Sequence, residues 1–303
     1  MIFTKNDVRR LGERLRDGST DPEDLAQLDS VRRAYDALLI ETTHSVGTML
    51  RMNNVNFIVS GRSKRTKSII RKLRRPKNQT MDLSRMQDIV GIRVIVDNVA
   101  DQENVVQILR RNFEGGSEIF DFRNDGRPYR TMHVVLWVED QNIEVQIRTI
   151  PQHLWAVESE SFGEQVKEGT LTGDPLSYLT TLAEAGKRLD AGEVVTDVTY
   201  TEVPLFSTRQ PLEITLSNIS TQFRSATAIT TEGGGYQTFI VVFDNEVGAL
   251  LNTYVFSADD RARALEEYHK IASRLTDERY EALLFNAKSP AILQATHPRF
   301  FVA

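Results

Sequence analysis

The stretch VGIRVIVDN, residues 90–98, narrows the possible folds most. It is rich in β-branched residues, apolar apart from Arg93, and ends in Asp-Asn, so it reads as a buried strand. ADQENVVQILRRNF (100–113) follows as an amphipathic helix. EIFDFR (118–123), HVVLWVED (133–140) and NIEVQIRT (142–149) read as strands, the last two close enough to form a hairpin. Upstream, 5–17 reads as a short charged helix. A long helix then runs to about Met52, with Asp21 or Thr20 as its cap and Pro22 at its first position. NVNFIVSG is a further strand, 63–75 a helix, and helices are expected at about 151–167 and 175–191. Strands alternating with helices, plus one hairpin, predict an α/β (α+β) fold: a mixed sheet flanked by helices.

Beyond residue 193 the pattern changes. VVTDVTYTEVPLF, PLEITLSNI, YQTFIVVFDN, ALLNTYVFS and YEALLFNA are strand-like, with a helix over 259–275. A boundary at about 193–200 would separate residues 1–192 from a smaller C-terminal α+β unit, 193–303. In helix 259–275, Ala262, Ala264, Leu265, Tyr268, Ile271 and Leu275 form one apolar stripe, expected to be core. The GGG at 233–235 lacks the Lys-Ser/Thr of a phosphate-binding loop and reads as a hairpin loop.

Charge is the second constraint. GRSKRTKSIIRKLRRPK, residues 61–77, holds nine Lys/Arg and no acid, in a chain of net charge −5; the rest therefore carries −14. At 100° per residue, Lys64, Ser68, Arg71, Lys72 and Arg75 fall on one side of a helix, opposite Ile69, Ile70 and Leu73. Such a face is either an anion site or a solvated surface; clustered cations repel unless an anion neutralises them. The chain has no cysteine, which excludes disulfides, thiolate metal sites and a cysteine nucleophile and suits a cytoplasmic location. No signal-peptide core and no apolar run near the roughly 20 residues of a membrane span is present, so no membrane partner is expected.

Further candidates lie downstream. Asp88 stands just before strand 90–98, as a helix cap or as a carboxylate held at a sheet edge. Gly91 permits close approach of backbone or ligand. Arg93 needs a partner in its apolar strand. Strand alternation puts Glu144, Gln146 and Arg148 on one face and Val145 and Ile147 on the other. RPYRTMHVV adds Tyr129, Arg130 and His133, the last either a structural histidine or a site residue.

GRSKRTKSIIRKL, RMQDIVGIRVIV, PYRTMH, and EVQIRT followed by HLWA occur in the order and spacing of RelA/SpoT-type alarmone synthetases; the resemblance covers about residues 50–168. It implies a nucleotidyltransferase-like mixed sheet and a small synthetase without the hydrolase domain, since no His-Asp dipeptide occurs. The implied activity is transfer of pyrophosphate from ATP to the ribose 3′-hydroxyl of GDP or GTP, giving (p)ppGpp. By the same resemblance Arg62, Lys64, Ser68, Lys72 and Arg75, with Arg71 on the same helical side, would cradle the ATP phosphates, and Arg93 would support them. Asp88 would hold Mg²⁺. Glu144 would take a second metal contact or act as base. Tyr129 would stack on the acceptor base, with Arg130, His133, Gln146 and Arg148 lining the acceptor side.

The chain departs from the family in two places. Pro128 stands where a glycine usually precedes the tyrosine, and Ser159 and Glu160 replace a Glu-His pair, with Glu158 one place early. Both departures lie on the acceptor side. Two alternatives therefore stand beside the guanine-nucleotide reading. One is a toxin-type synthetase acting on the tRNA 3′ end, for which Arg10, Arg14, Arg16, Arg32, Arg33 and Arg51 offer basic surface. The other is an inactive nucleotide-sensing or partner-binding protein. The C-terminal unit is expected to regulate, to oligomerise or to bind a partner protein.

Overall fold

In the computed structural model the described residues are all except 1–3, 20, 65, 76–79, 114, 124–130, 139–140, 164, 167–168, 196–234, 276, 278, 298–299 and 301–303. The chain begins with α1 (Lys5–Arg16) and α2 (Pro22–Met52), continues through β1 (Phe57–Ser63), α3 (Thr66–Arg74), β2 (Val90–Val96) and α4 (Val99–Asn112), and reaches the strands β3 (Ser117–Asp121), β4 (Met132–Val138) and β5 (Gln141–Thr149). Next come α5 (Ile150–Ser161) and α6 (Asp174–Asp190), then β6 (Gln237–Asp244), β7 (Ala249–Phe256), α7 (Arg261–Arg274), β8 (Tyr280–Ala287) and α8 (Pro290–Thr296).

Local chemistry sets the ends of these helices. Asp21 accepts the Glu23 amide at 2.9 Å and Pro22 occupies the first helical position of α2. Asn98 caps α4 by accepting the Asp101 amide at 2.9 Å. Thr149 and Gln152 form a reciprocal capping box at the start of α5.

The strands form one mixed sheet in the order β3-β4-β5-β2-β1-β8-β6-β7, parallel between β2 and β5 and antiparallel at the other junctions. The C-terminal α+β region is present, and its strands belong to the same sheet. β8 pairs with β1 through Gly61↔Asn286 and Arg62↔Phe285, so the strands after residue 234 extend the first sheet. The anticipated boundary at 193–200 and the strand-like segments VVTDVTYTEVPLF and PLEITLSNI fall on, or mostly on, residues outside the described set, as does most of the GGG loop.

The pairing of β1 also explains a second difference. The predicted helix over 63–75 starts only at Thr66, because β1 runs on through Arg62, paired with both β2 and β8, and Ser63, paired with Val90 of β2. Lys64 lies in the turn and Arg75 just past the helix end, while Ile69 and Leu73 are buried as the helical phase required.

Alternation along the strands divides the core. Val59, Val90, Ile92, Val94, Val134, Val145 and Ile147 face α1, α2 and α4 in one cluster. Ile58, Ile95, Phe239, Phe285 and the α8 residues Ile292 and Leu293 form a second cluster on the opposite face. α2 presses so close to β1 that a Cβ on Gly61 would meet Thr43 Oγ1 at 2.3 Å. In α7, Ala264 and Tyr268 are buried and Leu265, Ile271 and the following Leu275 pack beside Tyr268, so the predicted stripe is core except for Ala262, which is exposed. Among the described residues no helix is long and apolar enough to cross a membrane.

α2, α7 and the start of α3 meet over a buried polar knot. Arg32 donates to Thr66 Oγ1 at 2.7 Å and to the Tyr268 hydroxyl at 2.8 Å, with Asp36 wholly buried one turn along α2. Burial pushes the Asp36 carboxyl up to about 6 against the pull of Arg32. A carboxyl raised on folding contributes its stability at low pH and loses it as pH rises from the unfolded value, 3.8, to about 6. Asp36→Asn is therefore expected to gain about 2 kcal/mol over the wild type at pH 7 compared with pH 4, read from urea unfolding at both pH values.

Candidate functional site

The candidate residues collect where β1 ends and β2 begins, on the sheet face that carries Glu144. Lys64 is held there by its backbone amide, which donates to Ile89 O at 2.9 Å. Its ammonium pairs with Asp88, and Lys72, in the last turn of α3, meets the other Asp88 oxygen at 2.8 Å. Burial works to raise the Asp88 carboxyl, but the two lysines outweigh it and hold it down at about 2. Burial lowers the Lys64 ammonium from its ordinary value, and Lys72 adds to that against the pull of Asp88.

β2 and β5 run side by side with Gly91 opposite Glu144 and Arg93 opposite Gln146. Val145 and Ile147 enter the first core, while their neighbours form a chain of contacts along the other face. Arg148 donates to Gln146 Oε1 at 2.8 Å, Gln146 donates to Glu144 Oε2 at 2.8 Å, and His133 Nδ1 lies 2.8 Å from Glu144 Oε1. Burial pushes the Glu144 carboxyl up, yet the facing His133 and the hydrogen bonds outweigh it and leave it below its ordinary value. Glu144 is therefore an ionised, partly buried carboxylate that can accept a proton. Asp88 and Lys64 both enter its electrostatic surroundings, which ties the two carboxylates into one site.

A Cβ on Gly91 would meet only Glu144 O, at 3.8 Å, so backbone packing does not demand this glycine. Its lack of a side chain keeps the sheet face open between Arg62, its partner on β1, and Glu144.

The remaining candidates are placed as follows. Ser68 is half-buried and Arg71 exposed on α3. Arg74, which the helical phase had set apart from them, donates to the Leu15 and Ser19 carbonyls at 2.8 and 3.2 Å and fastens α3 to α1. Arg93 donates to the carbonyl of Thr296 and meets Glu160 at 3.3 Å. Arg62 stacks over the Phe300 ring, 5.2 Å from its centroid. Tyr129 and Arg130 lie outside the described residues. Of the divergent positions, Ser159 turns back to the Ala156 carbonyl at 2.9 Å, and Glu158 is buried, which raises its carboxyl against a hydrogen bond from Tyr178.

Thr296, His297 and Phe300, and His153 within the HLWA motif, were given no role from the sequence. His153 is buried with Nε2 2.8 Å from the Ala295 carbonyl, and burial together with Arg93 and Arg148 keeps its ring neutral. The string ATHPRFF held the available signal, but Arg93 and Thr296 are 203 positions apart and no local pattern joins them.

Removing Asp88 leaves two ammonium groups facing each other. Asp88→Ala is expected to lose about 2 kcal/mol in urea unfolding, with added inorganic pyrophosphate restoring much of it by taking the vacated place between the lysines.

Comparison with known proteins identifies the family. The family described as "Region found in RelA / SpoT proteins" matches residues 61–162. An uncharacterized protein of Mycobacterium tuberculosis is 31% identical over 157 residues, covering 51% of this chain and 56% of its own length. The chain thus spans little more than half of that relative. GTP pyrophosphokinase YjbM of Bacillus subtilis is 30% identical over 145 residues, covering 44% of this chain and 67% of YjbM. A crystal structure of small alarmone synthetase 1 from B. subtilis bound to its product pppGpp is 24% identical, covers 55% of this chain and 94% of that one, and superposes with a TM-score of 0.45. With its motifs inside the matched segment and two thirds of YjbM covered, the chain belongs to the RelA/SpoT family of alarmone synthetases.

Proposed function

We propose that the chain is a pyrophosphokinase that transfers the β,γ-pyrophosphate of ATP to the ribose 3′-hydroxyl of GDP or GTP. The observation that carries this reading is the Lys64–Asp88–Lys72 cluster beside an ionised Glu144 on the adjoining strand. A polyphosphate supplies the negative charge that two lysines now draw from one carboxylate, and phosphoryl-type transfer depends on such neutralisation and on positioning.

In the reaction the acceptor 3′-oxygen attacks the β-phosphorus of ATP. The new O–P bond forms as the bond from that phosphorus to the α–β bridging oxygen breaks, and AMP leaves with the electron pair. The hydroxyl proton goes to Glu144, which Gln146 and His133 hold in place. Lys64 and Lys72 grip the transferring group, with Arg71, Arg75 and Ser68 extending the α3 face around it.

Among the described residues no group of three or more His, Asp or Glu side chains forms a ready-made metal cage. Two carboxylates within one electrostatic neighbourhood are nonetheless the donor set that suits Mg²⁺, which completes its shell with phosphate oxygens and waters. Asp88 would hold the ion once phosphate engages its lysines, with Glu144 near. Bound there, Mg²⁺ would supply charge neutralisation to the donor phosphates.

A guanine nucleotide is favoured over tRNA as acceptor by the state of the N-terminal arginines. Arg14 pairs with Asp24 at 2.7 Å, Arg33 pairs with Asp29 at 2.9 Å, Arg16 donates to the Met81 carbonyl, and Arg32 is buried. Two of those arginines are thus neutralised by acids and a third is buried, whereas tRNA needs cations open to its phosphates.

Incubation with labelled ATP, Mg²⁺ and separate GDP, GTP, adenine-nucleotide and deacylated tRNA acceptors tests the reading. Labelled guanosine tetra- or pentaphosphate is expected; label in tRNA alone, or in no product, overturns it. Glu144→Gln is expected to lower kcat by about 10²–10⁴ with ATP binding kept, as for loss of a general base. Because the Glu144 carboxyl lies below its ordinary value, its ionisation should cause no loss of rate between pH 8 and pH 6, checked by the pH profile of kcat.

A further inference from the structure

Arg62 and Arg93 share the sheet face of Glu144 and sit diagonally across the β1–β2 ladder, Arg62 opposite Gly91 and Arg93 opposite Ser60. Both are met by the far end of the chain. The Arg62 guanidinium stacks on Phe300, and the Arg93 guanidinium donates to the carbonyl of Thr296.

The two residues that make these contacts, Thr296 and Phe300, are firmly built in. Phe300 is 3% exposed and packs edge-on against Phe243 at 5.1 Å and Phe285 at 5.8 Å. Its amide donates to the His297 carbonyl at 3.1 Å. Thr296 is wholly buried at the end of α8; it accepts from Ser60 Oγ at 2.9 Å and donates to the Ile292 carbonyl at 2.8 Å. Ser60 is the β1 residue opposite Arg93, so the strand that presents one arginine also anchors the carbonyl that holds the other.

Arginine side chains are long and have many rotamers, and an aromatic platform or a fixed acceptor selects one orientation of the planar fork. A buried aromatic ring fixed by two others is a floor beneath Arg62. It is poorly suited to be a plug, since leaving would empty a core position. We propose that Phe300 and Thr296 are positioning residues of the donor site, holding the guanidinium groups of Arg62 and Arg93 in the orientation that receives ATP. The C-terminal segment, outside the matched residues 61–162, is then part of the functional unit. This rests on the reading of Arg62 and Arg93 as donor-side groups.

The test uses the full chain with three substitutions. Phe300→Leu keeps an apolar side chain and removes the ring, Phe300→Tyr keeps the ring, and Thr296→Val removes the hydroxyl links around the Arg93 acceptor. Urea midpoints report folding, initial rates with ATP varied give KM and kcat, and calorimetry with ATP alone gives affinity. Phe300→Leu and Thr296→Val are each expected to weaken ATP about tenfold in KM and Kd, the scale of one lost cation–π or hydrogen-bond contact, with kcat and acceptor KM changed less than about threefold. Phe300→Tyr should bind ATP as the wild type does.

A folded Phe300→Leu with unchanged ATP affinity overturns the proposal. So does one with tighter ATP binding and a raised rate, which would make the segment an inhibitory plug. If the wild type transfers to no acceptor, the functional reading fails alone, and the calorimetric comparison still decides the roles of Phe300 and Thr296. A wild type that binds no ATP overturns both.

Discussion

β2 and β5 run parallel, with Gly91 opposite Glu144, and the site depends on that register. Asp88 stands two residues before β2, so the same pairing that sets the central sheet puts it beside Glu144. A slip of one residue would turn Glu144, Gln146 and Arg148 into the cluster now filled by Val145 and Ile147. The apolar face thus enforces the polar one. Burying Ile92, Val94, Val145 and Ile147 against α2 and α4 makes the register costly to change, and the catalytic candidates take their places through that cost.

The polar face is kept folded by matching charge. Asp88 lies between Lys64 and Lys72, Glu144 between His133 and Gln146, and Arg93 against a carbonyl and Glu160. Each carboxylate is partly withdrawn from water yet ionised, because its neighbours outweigh desolvation. The same partners that stabilise the resting protein are groups a polyphosphate or an acceptor hydroxyl would engage. Binding can exchange one set of ionic contacts for another without first exposing the core.

The C-terminal region is structural to this face. β8 pairs with β1, α8 covers the second core cluster, and Thr296 and Phe300 reach Arg93 and Arg62. The Arg32–Tyr268 bond ties α7 to the start of α3 in the same way. Within the basic segment, Arg62 in β1 and, through Arg32, Thr66 in α3 are therefore linked to residues more than two hundred positions away.

Local pattern was enough for much of this protein. Periodicity and caps gave the mixed sheet, the long α2 with its Asp21–Pro22 start, and the inward and outward sides of β5, because those signals act over a few residues. Motif order gave the family and the candidates around Lys64, Asp88 and Glu144. The extension of β1 through Arg62 and Ser63 was not legible, since it rests on pairing with β2 and, for Arg62, with β8 from a distant part of the chain. Nor was the joining of the C-terminal strands to the first sheet legible, since β8 meets β1 across more than two hundred positions. The partners of Arg93 and Arg62, the burial that shifts Asp36 and the neighbours that outweigh burial at Asp88 and Glu144 were decided only in three dimensions. A sequence states which side chains carry charge; tertiary packing decides which are taken out of water, and which opposite charge or carbonyl meets them there.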